Sequence, residues 1–240
     1  MTSQLVRYDR QDLVATISMN GGRANALSQV MLSAIAHALD QAQADEAAVV
    51  LTGTDGCFSA GFDLKTLSGR GPEAVTMLRS GFRLAHRLLS FPTPVVIACS
   101  GHAIAMGLFL ALSGDYRIGA RGPHILTANE VALGLPVPLA AIEICRYRVP
   151  PPHFDRVVTL AERYTPDSAV TAGILDQVVE STDLIAAAAA VATNLAKLDR
   201  SAYIGTKLRA RANALAAVRA GLDNEFGTSS FPENLPHLTN

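Results

Sequence analysis

The hydrophobic residues of this chain fall into short runs, and their spacing changes between the periods of strands and helices. Near the beginning, Leu5–Tyr8 and Leu13–Met19 are β-prone runs on either side of a polar turn, and they predict a β-hairpin. Ser28 is a favourable N-cap residue, and apolar side chains follow it at helical spacing, as at Leu32 and Leu39. A helix is therefore predicted after the hairpin.

Strand and helix patterns continue to alternate to roughly residue 135. Further strands are predicted at Ala47–Thr52, Pro94–Ser100, Asp115–Gly119, Ile125–Ala128 and Leu175–Val179. Helices are predicted at Glu73–Leu89, which ends at prolines that cannot continue it, and at Gly101–Leu112. After Leu139 the pattern is mostly helical, and Leu184–Phe226 predicts two or three helices. This order is typical of an α/β fold with a largely parallel sheet.

The composition narrows the class of protein and its partners. Of the 240 residues, 49% are hydrophobic and 17% are charged, which excludes a disordered chain and a coiled coil. Lys and Arg number 20 against 21 Asp and Glu, so no surplus of cations is present to neutralise nucleic-acid phosphates. The first residues lack an apolar signal-peptide core, and no apolar run is long enough to span a membrane. We expect a cytoplasmic protein with neither a nucleic-acid nor a membrane partner.

The usual signatures of phosphate-binding, metal and nucleophile chemistry are missing. The sequence has no GxxxxGK[ST] loop, no HExxH and no GxSxG. Its cysteines, Cys57, Cys99 and Cys145, are odd in number and far apart. We therefore expect neither a disulfide framework nor a clustered zinc site.

Two glycine-containing turns follow predicted buried strands. They are Cys57–Leu64, after Ala47–Thr52, and Ser100–Gly107, after Pro94–Ser100. Small residues let a backbone approach a ligand closely, and open α/β sheets bind ligands at the carboxyl ends of their strands. The two turns are candidates for a pair of backbone N–H donors, although glycines at such turns are also common for structural reasons alone.

Glu130 is the only acidic residue between Arg117 and Ile142, and its neighbours are mostly apolar. A carboxyl group desolvated in such surroundings has its pKa raised toward neutrality, as a general acid or base needs. The pattern alone is equally compatible with a surface glutamate or a helix-capping partner.

Taken in order, four segments resemble the enoyl-CoA hydratase/isomerase family, the crotonase superfamily. Gly22–Ser28 is similar to the family's first CoA-contacting loop, and Phe58–Leu64 to its F-x-A-G-x-D-L signature. Pro94–Gly107 resembles the strand and turn that carry the second oxyanion donor. Asn129–Pro136 lies where the family has its proton-handling glutamate. The resemblance covers nearly the whole chain.

The resemblance implies an α/β fold built as a crotonase-type spiral of ββα repeats. Residues 1–183 would form the CoA-binding and catalytic core, and residues 184–240 a C-terminal helical region that drives homotrimers or dimers of trimers. It also implies an acyl-CoA thioester substrate in fatty-acid metabolism. Coenzyme A is then part of the substrate, and no metal and no separate cofactor are expected.

The resemblance also implies roles for individual residues. The backbone N–H groups of Phe62 and Met106 would bind the thioester oxygen and stabilise an enolate, with Glu130 as the acid and base. The position of Met106 is usually glycine in the family, so its side chain is expected to narrow the pocket. The residues expected to contact the substrate or its CoA are Arg23, Ala24, Ala26, Ala60, Phe62, Asp63, Leu64, Met106, Phe109 and Leu135.

One departure from the family pattern bears on the reaction. Hydratases of the family carry two glutamates, and the position of the first falls here on Phe109, which cannot transfer a proton. A single carboxylate can remove a proton from C2 and return it at C4, which is the Δ3-to-Δ2 enoyl-CoA isomerase reaction. We therefore expect an isomerase with little or no hydratase activity.

Two alternatives remain open from the sequence. The protein would be an enoyl-CoA hydratase if Glu143 or His102 supplied the missing acid. It would be a non-catalytic acyl-CoA-binding protein if the pocket were kept without its chemistry. The sequence does not determine the length of the acyl chain.

Overall fold

The computed structural model describes residues 5–227. Its strands are β1 (Val6–Gln11), β2 (Val14–Met19), β3 (Ala48–Thr52), β4 (Gly56–Ser59), β5 (Val95–Cys99), β6 (Gly101–Ile104), β7 (Tyr116–Ala120), β8 (Leu126–Thr127) and β9 (Gln177–Val179). Its helices are α1 (Gln29–Ala44), α2 (Leu64–Ser68), α3 (Pro72–Ser90), α4 (Met106–Leu112), α5 (Leu139–Arg148), α6 (Pro151–Val158), α7 (Pro166–Thr171), α8 (Leu184–Leu195), α9 (Arg200–Ala210) and α10 (Ala212–Phe226). Short 3-10 helices occur at Val131–Leu133 and Ser181–Asp183.

The strands form two separate sheets, and from β3 to β8 successive strands alternate between them. The larger sheet has the order β1-β2-β3-β5-β7-β9, and the smaller one has the order β4-β6-β8. Only the β1–β2 pair is antiparallel among the described strands, and all other pairs are parallel. The consecutive strands β3 and β4 thus belong to different sheets, and the same is true of β5 and β6 and of β7 and β8. Each such step of the chain adds one strand to each sheet, which produces a spiral of successive turns.

The central strands of the larger sheet, such as β3 and β5, are covered on both faces, which explains their continuous apolar runs. In β3, Val49 and Leu51 belong to the main core with α1 and α3, whereas Ala48 and Val50 face a second core. That second core is closed by α8, through side chains that include Ala188. The site described below lies on the side of the main core.

Most of the predicted elements are confirmed. The β-hairpin forms between β1 and β2, and Ser28 caps α1 by accepting a hydrogen bond from the Met31 N–H over 3.2 Å. The strands predicted from apolar runs and the helix at Glu73–Leu89 are present with shifts of a few residues at their ends. The segment Leu184–Phe226 forms three helices, α8 to α10.

The single helix predicted at Gly101–Leu112 is wrong in its first half. Gly101–Ile104 forms β6, because it lies between β4 and β8 and pairs with both. Gly101 approaches β4 so closely that a Cβ there would lie 2.0 Å from the carbonyl carbon of Gly56. Strand β4 and helix α2 were not predicted, since neither is long enough to show a clear period. The C-terminal tail that begins at Phe231 lies outside the described residues.

The C-terminal helices fold back onto the larger sheet through a buried ion cluster. The carboxylate of Asp115 accepts hydrogen bonds from the Val95 N–H over 2.7 Å and from the Tyr203 hydroxyl over 2.7 Å. It also pairs with Lys207 over 2.9 Å and with Arg211 over 2.7 Å.

No helix within residues 5–227 is long and apolar enough to cross a membrane.

Candidate active site

Two loops lie side by side at one end of the spiral. The first precedes α1, and the second joins β4 to α2. The Ala60 N–H donates to the Ala24 carbonyl over 2.9 Å, and the Leu27 N–H donates to the Gly61 carbonyl over 2.8 Å. The predicted CoA-contacting loop and the F-x-A-G-x-D-L turn are thus brought together by backbone hydrogen bonds.

Polar side chains hold this pair of loops in place. The buried Asn25 side chain donates through Nδ2 to the Phe58 carbonyl over 3.0 Å and accepts through Oδ1 from the Gly21 N–H over 2.7 Å. The Ser59 hydroxyl donates to the Asn25 carbonyl over 2.9 Å and accepts from the Gly61 N–H over 3.1 Å. These bonds hold the peptide between Ala60 and Gly61. The bond from the Leu27 N–H to the Gly61 carbonyl holds the next peptide, between Gly61 and Phe62.

The second predicted donor, Met106, lies next to this peptide. A Cβ built on Gly61, whose φ is 94°, would lie 3.4 Å from the Met106 amide nitrogen and 3.0 Å from the Ile104 carbonyl oxygen. Met106 is the first residue of α4, so its N–H has no acceptor within the helix. Ala105 before it has a φ of 51°, a left-handed backbone that turns the chain from β6 into α4.

Gly107 lets α4 begin directly against the end of β4. A Cβ at this position would lie 2.3 Å from the Ser59 carbonyl oxygen, a distance that no side chain tolerates. The contact brings the N-terminus of α4 to the turn that holds Phe62. Glycine is therefore required here for close approach of two backbones.

The second loop borders a cavity of about 180 Å³. Its walls come from α2, α3, α4, the turns around residues 60 and 105, and the segment 129–138. The residues that line it are Ala60, Phe62, Leu64, Leu67, Ser68, Arg70, Leu78, Phe82, Ala105, Phe109, Asn129, Glu130, Leu133, Leu135, Pro136 and Pro138. Most of these side chains are apolar, as in a site that binds an acyl group.

Glu130 is the only carboxylate that lines this cavity in the described part of the chain. It stands immediately before the 3-10 helix Val131–Leu133, and its carbonyl oxygen accepts the Leu133 and Leu135 N–H groups over 2.9 Å each. Its Oε2 is buried and has no hydrogen-bond partner among the described residues. Desolvation by burial raises the pKa of this carboxyl to about 7. A group with these properties exchanges protons readily near neutral pH.

The predicted pocket residues divide into those that line the cavity and those that support it. Five of them line it, and Phe109 among these is 1% exposed. They are Ala60, Phe62, Leu64, Phe109 and Leu135. The Met106 side chain does not contribute to the lining, so the expectation that it narrows the pocket is not met. It is buried instead, with its Cε 3.5 Å from a Cβ built on Gly81 in α3.

The remaining predicted contacts lie beside the cavity rather than in its wall. Asp63 caps α2, since its carboxylate accepts hydrogen bonds from the Thr66 N–H over 2.9 Å and the Thr66 hydroxyl over 2.7 Å. These bonds lower the pKa of the Asp63 carboxyl. Arg23 and Ala24 are exposed on the first loop, and Ala26 is half-buried there.

The two residues considered as replacement acids lie elsewhere. Glu143 pairs with Arg146 over 3.2 Å on α5 and does not line the cavity. The Nδ1 of His102 accepts the Ile125 N–H over 3.0 Å, and its ring packs edge-on against His124. Within residues 5–227, no three His, Cys, Asp or Glu side chains cluster closely enough to hold a metal ion.

Several residues of the site were missed by the sequence analysis. Phe82 and Leu78 are spaced by four residues on α3 and line the cavity, but the same spacing occurs in every buried helix. Asn129 lines it beside Glu130, and its buried Oδ1 has no hydrogen-bond partner within residues 5–227. Ser59 and Asn25 fall inside the two quoted motifs, yet only their hydrogen bonds show what they do.

Comparison with known proteins agrees with this arrangement. Residues 9–227 match the model of the enoyl-CoA hydratase/isomerase family. The chain belongs to this family of enzymes, within the crotonase superfamily.

Relatives carry both of the family's names. The chain is 30% identical over 173 residues to the peroxisomal enoyl-CoA delta isomerase 1 of Arabidopsis thaliana. The aligned region covers 70% of this chain and 72% of that protein. It is 32% identical over 207 residues to a probable enoyl-CoA hydratase, echA17, of Mycobacterium avium. That alignment covers 84% of this chain and 75% of the relative. A crystal structure described as an apo enoyl-CoA isomerase of Mycobacterium tuberculosis is 44% identical, with a TM-score of 0.89, and covers 93% of this chain and 98% of that one.

Proposed function

We propose that this enzyme is a Δ3-to-Δ2 enoyl-CoA isomerase in which Glu130 is the acid and base. The observation that carries the proposal is that Glu130 is the one carboxylate in the cavity wall of the described residues. Its Oε2 is buried without a hydrogen-bond partner among the described residues. By the resemblance to the family, the position at which a hydratase has its other glutamate falls on Phe109, which is buried in the cavity wall. An acyl-CoA thioester is the substrate.

In the proposed reaction, the thioester oxygen accepts hydrogen bonds from the N–H groups of Phe62 and Met106. Ionised Glu130 removes a proton from C2 of the 3-enoyl thioester, and the electron pair moves onto the thioester oxygen as a dienolate. Glu130 then returns the proton at C4, the enolate carbonyl re-forms, and the double bond lies between C2 and C3. A donor of this kind contributes on the order of 3 kcal/mol to transition-state stabilisation.

The walls of the cavity suit this reaction. A pKa near 7 allows Glu130 both to accept and to return a proton, because its ionised and protonated forms are both accessible near neutral pH. Phe109 is apolar and fully buried, so it binds no water that attacks C3. Because Glu130 is the one carboxylate and Phe109 the aromatic ring in this wall of the described residues, isomerisation without hydration is the expected outcome.

The proposal also assigns the residues that contact the CoA part of the substrate and the oligomeric state of the enzyme. Arg23, Ala24 and Ala26 on the first loop, together with Asp63 and Leu64 on the second, hold the CoA part of the substrate. No metal and no cofactor other than the substrate's CoA takes part. Residues 1–183 form the catalytic core and the helices after residue 184 support a homotrimer or a dimer of trimers in the cytoplasm.

A paired assay on the purified protein tests the proposal. A 3-enoyl-CoA and a trans-2-enoyl-CoA of equal chain length are followed by the absorbance of the conjugated enoyl thioester. A gain with the first substrate and no loss with the second is expected. Loss of absorbance with the trans-2-enoyl-CoA would show hydratase activity and contradict the role of Phe109. CoA-ester binding without turnover of either substrate would favour an acyl-CoA-binding protein.

A further inference from the structure

Aromatic rings close one side of the candidate acyl cavity. Phe82 lines the cavity from α3 and is 1% exposed. Its ring packs edge-on to that of Phe62 with centroids 6.2 Å apart, and it lies 6.4 Å from the ring of Phe109. These three rings form a continuous wall between the turn of Phe62 and helix α4.

A second layer supports this wall from behind. The ring of Phe226, the last residue of α10, is stacked on Phe82 with centroids 5.9 Å apart and planes inclined by 7°. Phe226 is completely buried, and its carbonyl oxygen accepts a hydrogen bond from Arg79 Nε over 2.6 Å. Helix α10 packs against α3 and α5. Phe82 therefore cannot swing outward without displacing the end of α10.

The cavity behind the opening is small compared with a long acyl chain. The cavity measures about 180 Å³, and an engineered apolar cavity of about 150 Å³ holds one benzene molecule, which has six carbons. Part of this volume must also hold the sulfur and oxygen of the thioester. We infer that the enzyme acts on short- and medium-chain acyl-CoA thioesters, of about four to eight acyl carbons, and that Phe82, supported by Phe226, sets this limit. The inference rests on the proposed function for the identity of the ligand.

Gly81 provides a second way to vary the same wall. A Cβ at this position would lie 2.5 Å from Cε1 and Cζ of Phe62, so alanine would push the Phe62 ring toward the cavity. Gly81→Ala should therefore lower the limit on chain length. Changes at Phe82 or Phe226 to a smaller side chain should raise it.

Binding of saturated acyl-CoA esters, from butanoyl-CoA to hexadecanoyl-CoA, tests the inference by isothermal titration calorimetry on the full chain. These ligands have no double bond to move, so the result does not depend on catalysis. For the unmodified protein we expect hexadecanoyl-CoA to bind at least about tenfold more weakly than octanoyl-CoA. Phe82→Leu and Phe226→Leu should reduce this ratio several-fold, and Gly81→Ala should weaken octanoyl-CoA relative to butanoyl-CoA.

Phe91→Leu is the matched control, because Phe91 is also 1% exposed but does not line the cavity. It should lower stability like the other two Leu variants and leave the binding ratio unchanged. Equal affinity of the unmodified protein for the C8 and C16 esters overturns the inference, as does the same ratio in all three Leu variants. If the chain-length profile holds and no 3-enoyl-CoA is turned over, the proposed isomerase is wrong while the size limit stands.

Discussion

The hydroxyl of Ser59 accepts a hydrogen bond from the Gly61 N–H over 3.1 Å, and the same hydroxyl donates to the Asn25 carbonyl over 2.9 Å. Ser59 is completely buried, so no water can replace either bond. The bond from the Gly61 N–H holds the Ala60–Gly61 peptide. The next peptide, Gly61–Phe62, carries the Phe62 N–H, one of the two proposed oxyanion donors, and its carbonyl accepts from the Leu27 N–H over 2.8 Å. Ser59 is thus a positioning residue for a donor that it does not itself provide.

Ser59→Ala should lower kcat by roughly 10- to 100-fold and change KM little, because a misdirected donor loses most in the transition state. Steady-state kinetics with a 3-enoyl-CoA measure both constants. Ser90→Ala is the control, since this hydroxyl bonds the His86 carbonyl on α3 and does not line the cavity. An unchanged kcat in Ser59→Ala would show that the peptide is held without the hydroxyl.

Glu130→Gln should lower the isomerase kcat by at least about 10²-fold, because a positioned acid–base group typically contributes 10² to 10⁴. Octanoyl-CoA should still bind with similar affinity, since the cavity keeps its shape. Rates with a 3-enoyl-CoA and calorimetric binding separate the two effects. Full turnover by the variant would exclude Glu130 as the proton carrier.

The same substitution should stabilise the protein in alkaline solution. The pKa of Glu130 is about 7 in the folded state against an ordinary 4.5, so ionisation costs stability. This cost is absent below the unfolded pKa, grows as the pH rises and is complete above about pH 7. The pKa difference lowers the free energy of unfolding of the unmodified protein by roughly 3 kcal/mol at pH 8 and by less than about 1 kcal/mol at pH 5. Urea unfolding of Glu130→Gln at both pH values should show this gain. Glu143→Gln removes one member of a solvent-accessible pair with Arg146 and should change stability by less than about 1 kcal/mol at either pH.

The rate of the unmodified enzyme should depend on pH through the same group. Removal of the C2 proton needs ionised Glu130, so kcat/KM should rise with pH and level off above an apparent pKa of about 7. A pH–rate profile between pH 5 and 9 measures it. A profile that is flat across pH 6 to 8 would contradict the burial of the reacting carboxyl.

Gly107→Ala should abolish isomerase activity or prevent folding, because its Cβ would lie 2.3 Å from the Ser59 carbonyl oxygen. Gly205→Ala on α9 is the matched control, since a Cβ there meets nothing within 4 Å. Alanine is the better helix former by up to about 1 kcal/mol, so the control should be neutral or stabilising. Circular dichroism, thermal unfolding and activity compare the two, and normal activity in Gly107→Ala would contradict the close contact.

Asp115→Asn should destabilise the protein by about 3–5 kcal/mol, because it leaves Lys207 and Arg211 buried without their counter-charge. Asp223→Asn removes one member of an exposed pair with Arg219 and should change stability by less than about 0.5 kcal/mol. Denaturant unfolding of both variants at pH 7 measures the difference. Equal stabilities would show that the Asp115 cluster does not anchor α9.

The local pattern of the sequence was sufficient for the hairpin, the buried strands and the long helices. Apolar runs such as Val95–Cys99 predict a strand covered on both faces, and Ser28 predicts a helix start through its own side chain. The resemblance at Phe58–Leu64 and Asn129–Pro136 pointed to the cavity that Phe62 and Glu130 share in the structure.

Other features depend on residues that are distant in the chain. Gly101–Ile104 is a strand only because β4 and β8 lie on either side of it, and no period within the segment shows this. The Met106 side chain turns toward Gly81 rather than the cavity, because a neighbouring helix offers the space. The wall made by Phe82 needs Phe226, which follows it by well over a hundred residues.

The sequence by itself determined the order of elements, the family motifs and the one acid in the catalytic segment, because hydrophobic period, capping and glycine turns act within a few residues of the chain. The tertiary structure alone decided that Glu130 is desolvated, that Ser59 holds the peptide preceding the one that carries the Phe62 N–H, and that aromatic rings line one side of the cavity. Desolvation, hydrogen-bond direction and cavity size are properties of groups in contact across space. They exist only once the chain has brought those groups together.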